Sequence, residues 1–118
     1  DKETPDYKVP IAGKIVGDLN SPPAISQRFY SNVIKMAEHE ASIKGRIERR
    51  ESVTEYMRNN PEASMWRRAN TLENEISKLN RRRREMVEKQ EPIERIKKLD
   101  DQKTRMMKQF NDQVRKYN

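Results

Sequence analysis

Two stretches of this chain hold apolar residues on a 4,3 stagger through an otherwise polar background. The first runs Met65, Ala69, Leu72, Ile76, Leu79, Arg83, Met86, and the second runs Ile96, Leu99, Lys103, Met106, Phe110, Gln113, Tyr117. A 3.5-residue repeat of this kind predicts helices that each bury a narrow face against another helix. A third helical pattern is broader. Phe29, Val33, Met36, Ile43 and Ile47 form one row, and Tyr30, Ile34, Ala37 and Ala41 form the row beside it.

Breakers divide these patterns. Ser21-Pro22-Pro23 opens the first long helix, expected over about Ala24–Arg50, because proline fits the first helical turn. Ser52-Val53-Thr54-Glu55 has the form of a capping box and starts a short helix carrying Val53, Tyr56 and Met57. Asn59-Asn60-Pro61-Glu62 ends it, with Asn60 expected as N-cap of a second long helix over Pro61–Gln90. Pro92 closes that helix and opens the third, over about Pro92–Lys116. A reversal at Glu91-Pro92 is expected, with a kinked continuous helix as the alternative.

Residues 1–20 have a different character. Pro5 and Pro10 favour extended backbone before them, and Gly13 and Gly17 interrupt any helix around Ile15 and Val16. Val9, Ile11, Ile15, Val16 and Leu19 make this arm too apolar for a solvated tail, so it is expected to dock on the bundle or on a neighbouring chain. The expected architecture is therefore all-α. It has an extended N-terminal arm (1–20) and a bundle (21–118) of three long antiparallel helices with coiled-coil-like seams plus one short helix.

Composition makes the bundle thin. Only 32% of the 118 residues are hydrophobic and 38% are charged, against about 45–50% and 25% in ordinary globular domains. Such a chain cannot fill a thick core, and its stability alone is expected to be marginal. The net charge of +7 favours acidic partners, but 19 acidic residues are interleaved with 26 basic ones, and many should pair at i,i+4. There are no cysteines, hence no disulfide framework or thiolate site. No apolar run approaches the roughly 20 residues needed to span a bilayer, and the acidic, proline-containing opening is not a signal peptide. The first residue is Asp, so a segment of a longer polypeptide is expected.

Candidate chemistry is sparse. Arg81-Arg82-Arg83-Arg84 occupies four successive helical positions, which point around the whole cylinder and cannot all meet one phosphate strand. Arg83 falls on the seam, where its stem can pack while its guanidinium reaches a carboxylate. Lys78, Arg81, Arg82, Arg84 and Lys89, with Arg67 and Arg68 further up the helix, form a solvated or protein-pairing face, with phosphate contact as the alternative. No aromatic residues alternate with them, so single-strand stacking has no support. Lys103 and Gln113 in the last seam, and Glu40 in the row of Phe29, are polar positions of the kind that fix register. They are expected to be partly exposed, a buried charge triad being the alternative. Trp66 is read as a core anchor rather than a ligand platform. His39 is the sole histidine, so neither a two-histidine zinc site nor a catalytic triad is expected around it. Gly13-Lys14 lacks the serine or threonine and the spaced glycine of a phosphate loop. No catalytic, cofactor or metal-binding residues are assigned.

Val9-Pro10-Ile11-Ala12-Gly13, Ile25-Ser26-Gln27-Arg28-Phe29-Tyr30, Asn60-Pro61-Glu62-Ala63 and Pro92-Ile93-Glu94-Arg95-Ile96-Lys97-Lys98-Leu99 occur in that order, ahead of a terminal Arg115-Lys116-Tyr117-Asn118. This order resembles a domain near the C-termini of very large polyvalent proteins of tailed phages and conjugative elements. That group includes internal virion (ejection) proteins of short-tailed phages. The chain departs from the family pattern at Glu91, where a small polar residue is usual, and at Ile93. The resemblance implies a virion protein packaged inside the capsid and delivered to the host with the genome. Enzymatic activity there belongs to other domains, and the implied role is assembly with other virion proteins as a homo-oligomer, in possible contact with packaged DNA. A basic helical nucleic-acid-binding bundle is the alternative reading.

Overall fold

The computed structural model describes residues 21–117, and the arm residues Val9, Ile11, Ile15, Val16 and Leu19 lie outside them. The described chain is an all-helical bundle: α1 (Pro23–Glu48), α2 (Val53–Asn59), a 3-10 turn (Pro61–Met65), α3 (Trp66–Glu88) and α4 (Ile93–Arg115). Its principal extents are 53 × 30 × 19 Å. The smallest is about two helix diameters, so every helix has a solvated side.

The predicted breakers act where expected, with two changes. Pro23 sits in the first turn of α1, and Ser52 Oγ accepts the Glu55 N–H at 3.1 Å to start α2. Asn60 does not cap the second long helix. Its side-chain amide donates back to the Tyr56 carbonyl at 3.1 Å, closing α2 instead. The chain then tightens into the 3-10 turn, with Ala63 N–H on the Asn60 carbonyl at 2.9 Å, and the α-helix proper starts at Trp66 rather than Pro61.

Two helices end in corners built without glycine. After α1, Glu51 N–H bonds the Arg46 carbonyl and Arg50 N–H that of Ile47. After α3, Glu91 N–H bonds the Met86 carbonyl and Gln90 N–H that of Val87. This is the Schellman pattern, whose pivot is left-handed and usually Gly. Here the pivots are Arg50 (φ 59°) and Gln90 (φ 56°). Beyond the second corner, Arg83 meets Asp100, Asn80 meets Lys103 and Ser64 meets Tyr117. These bonds link residues on either side of Glu91-Pro92.

The core joins Phe29, Val33 and Met36 of α1 to Ala69, Leu72 and Ile76 of α3 and Met107, Phe110 and Val114 of α4. Phe29 packs edge-to-face on Phe110 (centroids 5.8 Å apart) and on Tyr30 (5.0 Å). Full burial of a Phe side chain stabilises by about 1.5–3 kcal/mol, and Phe29 is the largest apolar group that α1 contributes.

The α3 seam is as predicted: Ala69, Leu72, Ile76 and Met86 are buried, while Met65, Leu79 and Arg83 are half-buried. The α4 seam drifts. Leu99, Lys103 and Phe110 are buried, but Met107 and Val114 take the inward places expected of Met106 and Gln113. Tyr117 is exposed. A straight α-helix turns about 20° per heptad away from a 3.5-residue repeat, so the inward stripe slips gradually toward the later residue of each adjacent pair, Met107 over Met106 and Val114 over Gln113.

The broad stripe of α1 does not extend inward on the flank that its apolar residues suggest. Tyr30 is half-buried, but Ile34, Ala37 and Ala41 are exposed, and Ile47 is 60% exposed. The inward flank is polar: Ser26, Asn32 and His39 are buried beside Val33, Met36 and Ile43. Hydrogen bonds make this possible. Asn32 donates to Asn111 Oδ1 at 3.0 Å, and Asn111 donates to the Ile25 carbonyl at 3.1 Å, so each amide has a partner.

Candidate functional site

Three constellations of polar groups stand out, two inside the bundle and one outside. The first surrounds His39. Its position on α1, three residues beyond Met36, turns the ring inward, where α2 and the 3-10 turn bring Tyr56 and Glu62. Nε2 lies 2.9 Å from Glu62 Oε2 and Nδ1 lies 2.7 Å from Tyr56 Oη. A carboxylate only accepts, so Nε2 carries the proton toward Glu62 and, in the neutral ring, Nδ1 accepts from the tyrosine hydroxyl. Burial raises the Glu62 carboxyl pKa, but its own backbone N–H, His39 and nearby Lys35 together outweigh this and hold it below the usual 4.5. The Arg46 guanidinium lies 5.0 Å from the Tyr56 ring centroid and also bonds the Ser52 carbonyl at 3.3 Å.

Glu62, His39 and Tyr56 thus form a carboxylate–imidazole–hydroxyl chain that the sequence alone does not assemble. His39 is separated from its partners by 17 and 23 residues, and only the corners bring them together. One signal is available in the sequence: His39 occupies the 4,3 stagger Asn32, Met36, His39, Ile43, which is as regular as the row through Glu40. With both ring nitrogens occupied, the chain fastens α2 and the 3-10 turn to α1.

The second constellation lies between α3 and α4. Lys103 is fully buried, its ammonium donating to Asn80 Oδ1 at 2.6 Å and lying 3.9 Å from Asp100 Oδ1. Arg83 Nε donates to the same Asp100 oxygen at 2.8 Å. Arg83 is thus the packed stem with a paired guanidinium that its seam position predicts. Lys103 departs from the expected partial exposure and is instead the centre of a buried charge layer. Gln113 and Glu40 are half-buried, in line with their partial exposure. Glu40 accepts from Lys44 (2.7 Å) and Asn70 (3.1 Å), and these two bonds lower its pKa.

The third constellation is the basic face. Lys78, Arg81, Arg82, Arg84 and Lys89 are all exposed along α3 and its C-cap. None has a carboxylate within 4 Å among the described residues, whereas Arg83, also in the arginine run, turns inward to Asp100. Trp66 packs against the core as expected, and the Lys44 ammonium and Arg67 guanidinium cover it at 5.7 and 5.0 Å.

Among the described residues no group of three or more His, Cys, Asp or Glu side chains could hold a metal ion, and no helix is long and apolar enough to cross a membrane. Compared with protein-family models, with curated proteins and with solved structures, the chain matches none.

Proposed function

We propose that this chain is a structural, protein-interaction module whose helices alternate in direction, α3 running against α1 and α4. The alternation is supported by the register of cross-bonds: Glu40 with Asn70 and Lys44 over Trp66 between α1 and α3, and Arg83 with Asp100 between α3 and α4. The interaction role rests on one observation. The row Ile34, Ala37 and Ala41 lies on the outside of α1. Apolar groups aligned on one helix face gain by being covered, and α3 and α4 leave them uncovered.

The arm residues Val9, Ile11, Ile15, Val16 and Leu19 are proposed to reach a neighbouring chain in the same assembly. The resemblance to polyvalent phage proteins supports a specific setting: the helical segment of an internal virion protein, held inside the capsid with other virion proteins as a homo-oligomer and delivered during genome ejection. Catalysis is proposed to lie outside this segment.

The assembly role is tested by light scattering on the purified chain. A mass above the monomer is expected, falling to the monomer in Ile34→Asp/Ala41→Asp and in Ile11→Asp/Ile15→Asp. A monomeric parent chain would refute self-association, and an unchanged mass in the second variant would refute the arm's part in it. The virion setting is tested by asking whether the protein sediments with purified particles.

A further inference from the structure

The charges of this chain are unevenly satisfied. On α1 and α4 and at their ends, some basic residues pair locally (Lys44 with Glu40, Arg49 with Glu51, Arg95 with Glu91, and Lys108 and Arg115 with Asp112), while Arg28, Lys35, Lys97, Lys98 and Arg105 stand singly in solvent, without a carboxylate within 4 Å among the described residues. Along the second half of α3, among the described residues, Arg83 alone has such a partner, while Lys78, Arg81, Arg82, Arg84 and Lys89 are exposed and follow closely on one another without one. Nine basic against four acidic residues over positions 78–98 leave +5, most of the +7 carried by the whole chain.

Four of these nine basic residues fall along one line of α3. At about 100° per residue, Lys78, Arg82 and Lys89 lie within roughly 40° of one another on the side of α3 away from Leu72 and Ile76. Arg81 borders them. From Lys78 to Lys89 the line is about 16 Å long at 1.5 Å per residue. Thr71 and Asn74 continue the face, Glu85 lies within it and Glu75 borders it, and it carries neither an aromatic nor an aliphatic side chain.

A straight row of unpaired cations with no apolar anchor matches a partner that is itself a regular line of anions. We propose that the outward face of α3 binds double-stranded DNA through its phosphate backbone, without reading sequence. Duplex DNA presents about one negative charge per 1.7 Å of axis, so four side chains along about 16 Å each find a phosphate within reach. A single strand is disfavoured because nothing on the face can stack on a base. An anionic bilayer is disfavoured because the line carries no aliphatic side chain to insert: the exposed Val87 lies roughly 140–180° around α3 from Lys78, Arg82 and Lys89. The proposal does not depend on the assembly role.

The test is fluorescence anisotropy of a labelled duplex of about 20 base pairs titrated with the full chain between about 50 and 300 mM salt. Four phosphate contacts predict a slope of log K against log salt of roughly −3 to −4. Lys78→Glu/Arg81→Glu/Arg82→Glu should weaken binding by about 100-fold or more, with the far-ultraviolet circular dichroism unchanged. The charge-matched control Arg28→Glu/Arg58→Glu/Arg105→Glu should lose less than about a fifth as much. Equal losses in both variants would overturn the proposal, since net charge and not this face would then carry binding. So would equal affinity for an oligo-dT strand of the same length, or competition by phosphatidylglycerol vesicles as strong as that by duplex. If the triple variant unfolds, Arg81→Gln/Arg82→Gln reads the same face, and an unchanged slope in it would likewise refute the idea.

Discussion

The two polar layers inside this bundle can be set side by side. At the α2 end, His39 bonds Glu62 and Tyr56, and each polar atom of the imidazole has one matched partner. At the α3–α4 end, among the described residues, the buried Lys103 ammonium donates to the Asn80 carbonyl and lies 3.9 Å from an Asp100 carboxylate that Arg83 also engages. The first layer joins segments distant in sequence and carries at most one pair of charges. The second joins two neighbouring helices and holds a full positive charge with no solvent exposure of its own. Removing a partner from either leaves a buried group unsatisfied, but the penalty is larger where that group is an ion.

That difference can be broken by mutation. The largest effect is expected from Lys103→Glu, which places like charges together in the α3–α4 layer and should cost about 3–5 kcal/mol in urea unfolding. His39→Phe removes the hub of the other layer, stranding Glu62 and Tyr56, and should cost about 2–3 kcal/mol. Replacing Glu62 by Gln should cost about 1 kcal/mol at neutral pH and remove part of the acid limb of stability. The sign follows from its depressed carboxyl pKa: the folded protein binds that proton less readily than the unfolded chain. Its contribution is therefore complete above the ordinary value of 4.5 and is lost as pH falls through the lower folded value. Thermal melts between about pH 3 and 7 should show the wild type and Glu62→Gln converging at the acid end. The smallest change is predicted for Lys103→Met/Asn80→Leu, which replaces the ammonium and its nearest acceptor together by apolar groups of similar volume, at no more than about 1 kcal/mol. A large loss there would mean that the ammonium, not the packing of its stem, holds α3 and α4 together.

The elements are legible in the sequence because proline and capping residues act locally: Pro22-Pro23, Ser52, Pro61 and Pro92 each mark a real boundary or its neighbour. The α3 seam is equally plain, since its buried positions are apolar. Two features are not legible. On α1 the inward flank carries Asn32 and His39, and hydrophobicity points to the opposite flank. Their burial depends on Asn111, Tyr56 and Glu62, which only the tertiary fold delivers. On α4 the exchange of Met106 for Met107 is a matter of cumulative helix rotation, and adjacent methionines give composition no means of choosing. The basic face is visible as a run of arginines. That Arg83 leaves it while the others remain unpaired is a property of the fold alone.

The left-handed pivots at Arg50 and Gln90 have a consequence for how this chain could be wired. A non-glycine residue in that conformation carries about 1–2 kcal/mol of strain, which is relieved if the corner straightens. An opened Gln90 corner would send α4 away from its own α3 toward that of another copy, where Arg83–Asp100 and Asn80–Lys103 could re-form unchanged. Such an exchange of α4 between two copies would keep those contacts, which is how domain-swapped dimers arise. Glycine at position 90 would remove the incentive to open the corner, and a β-branched residue there would increase it.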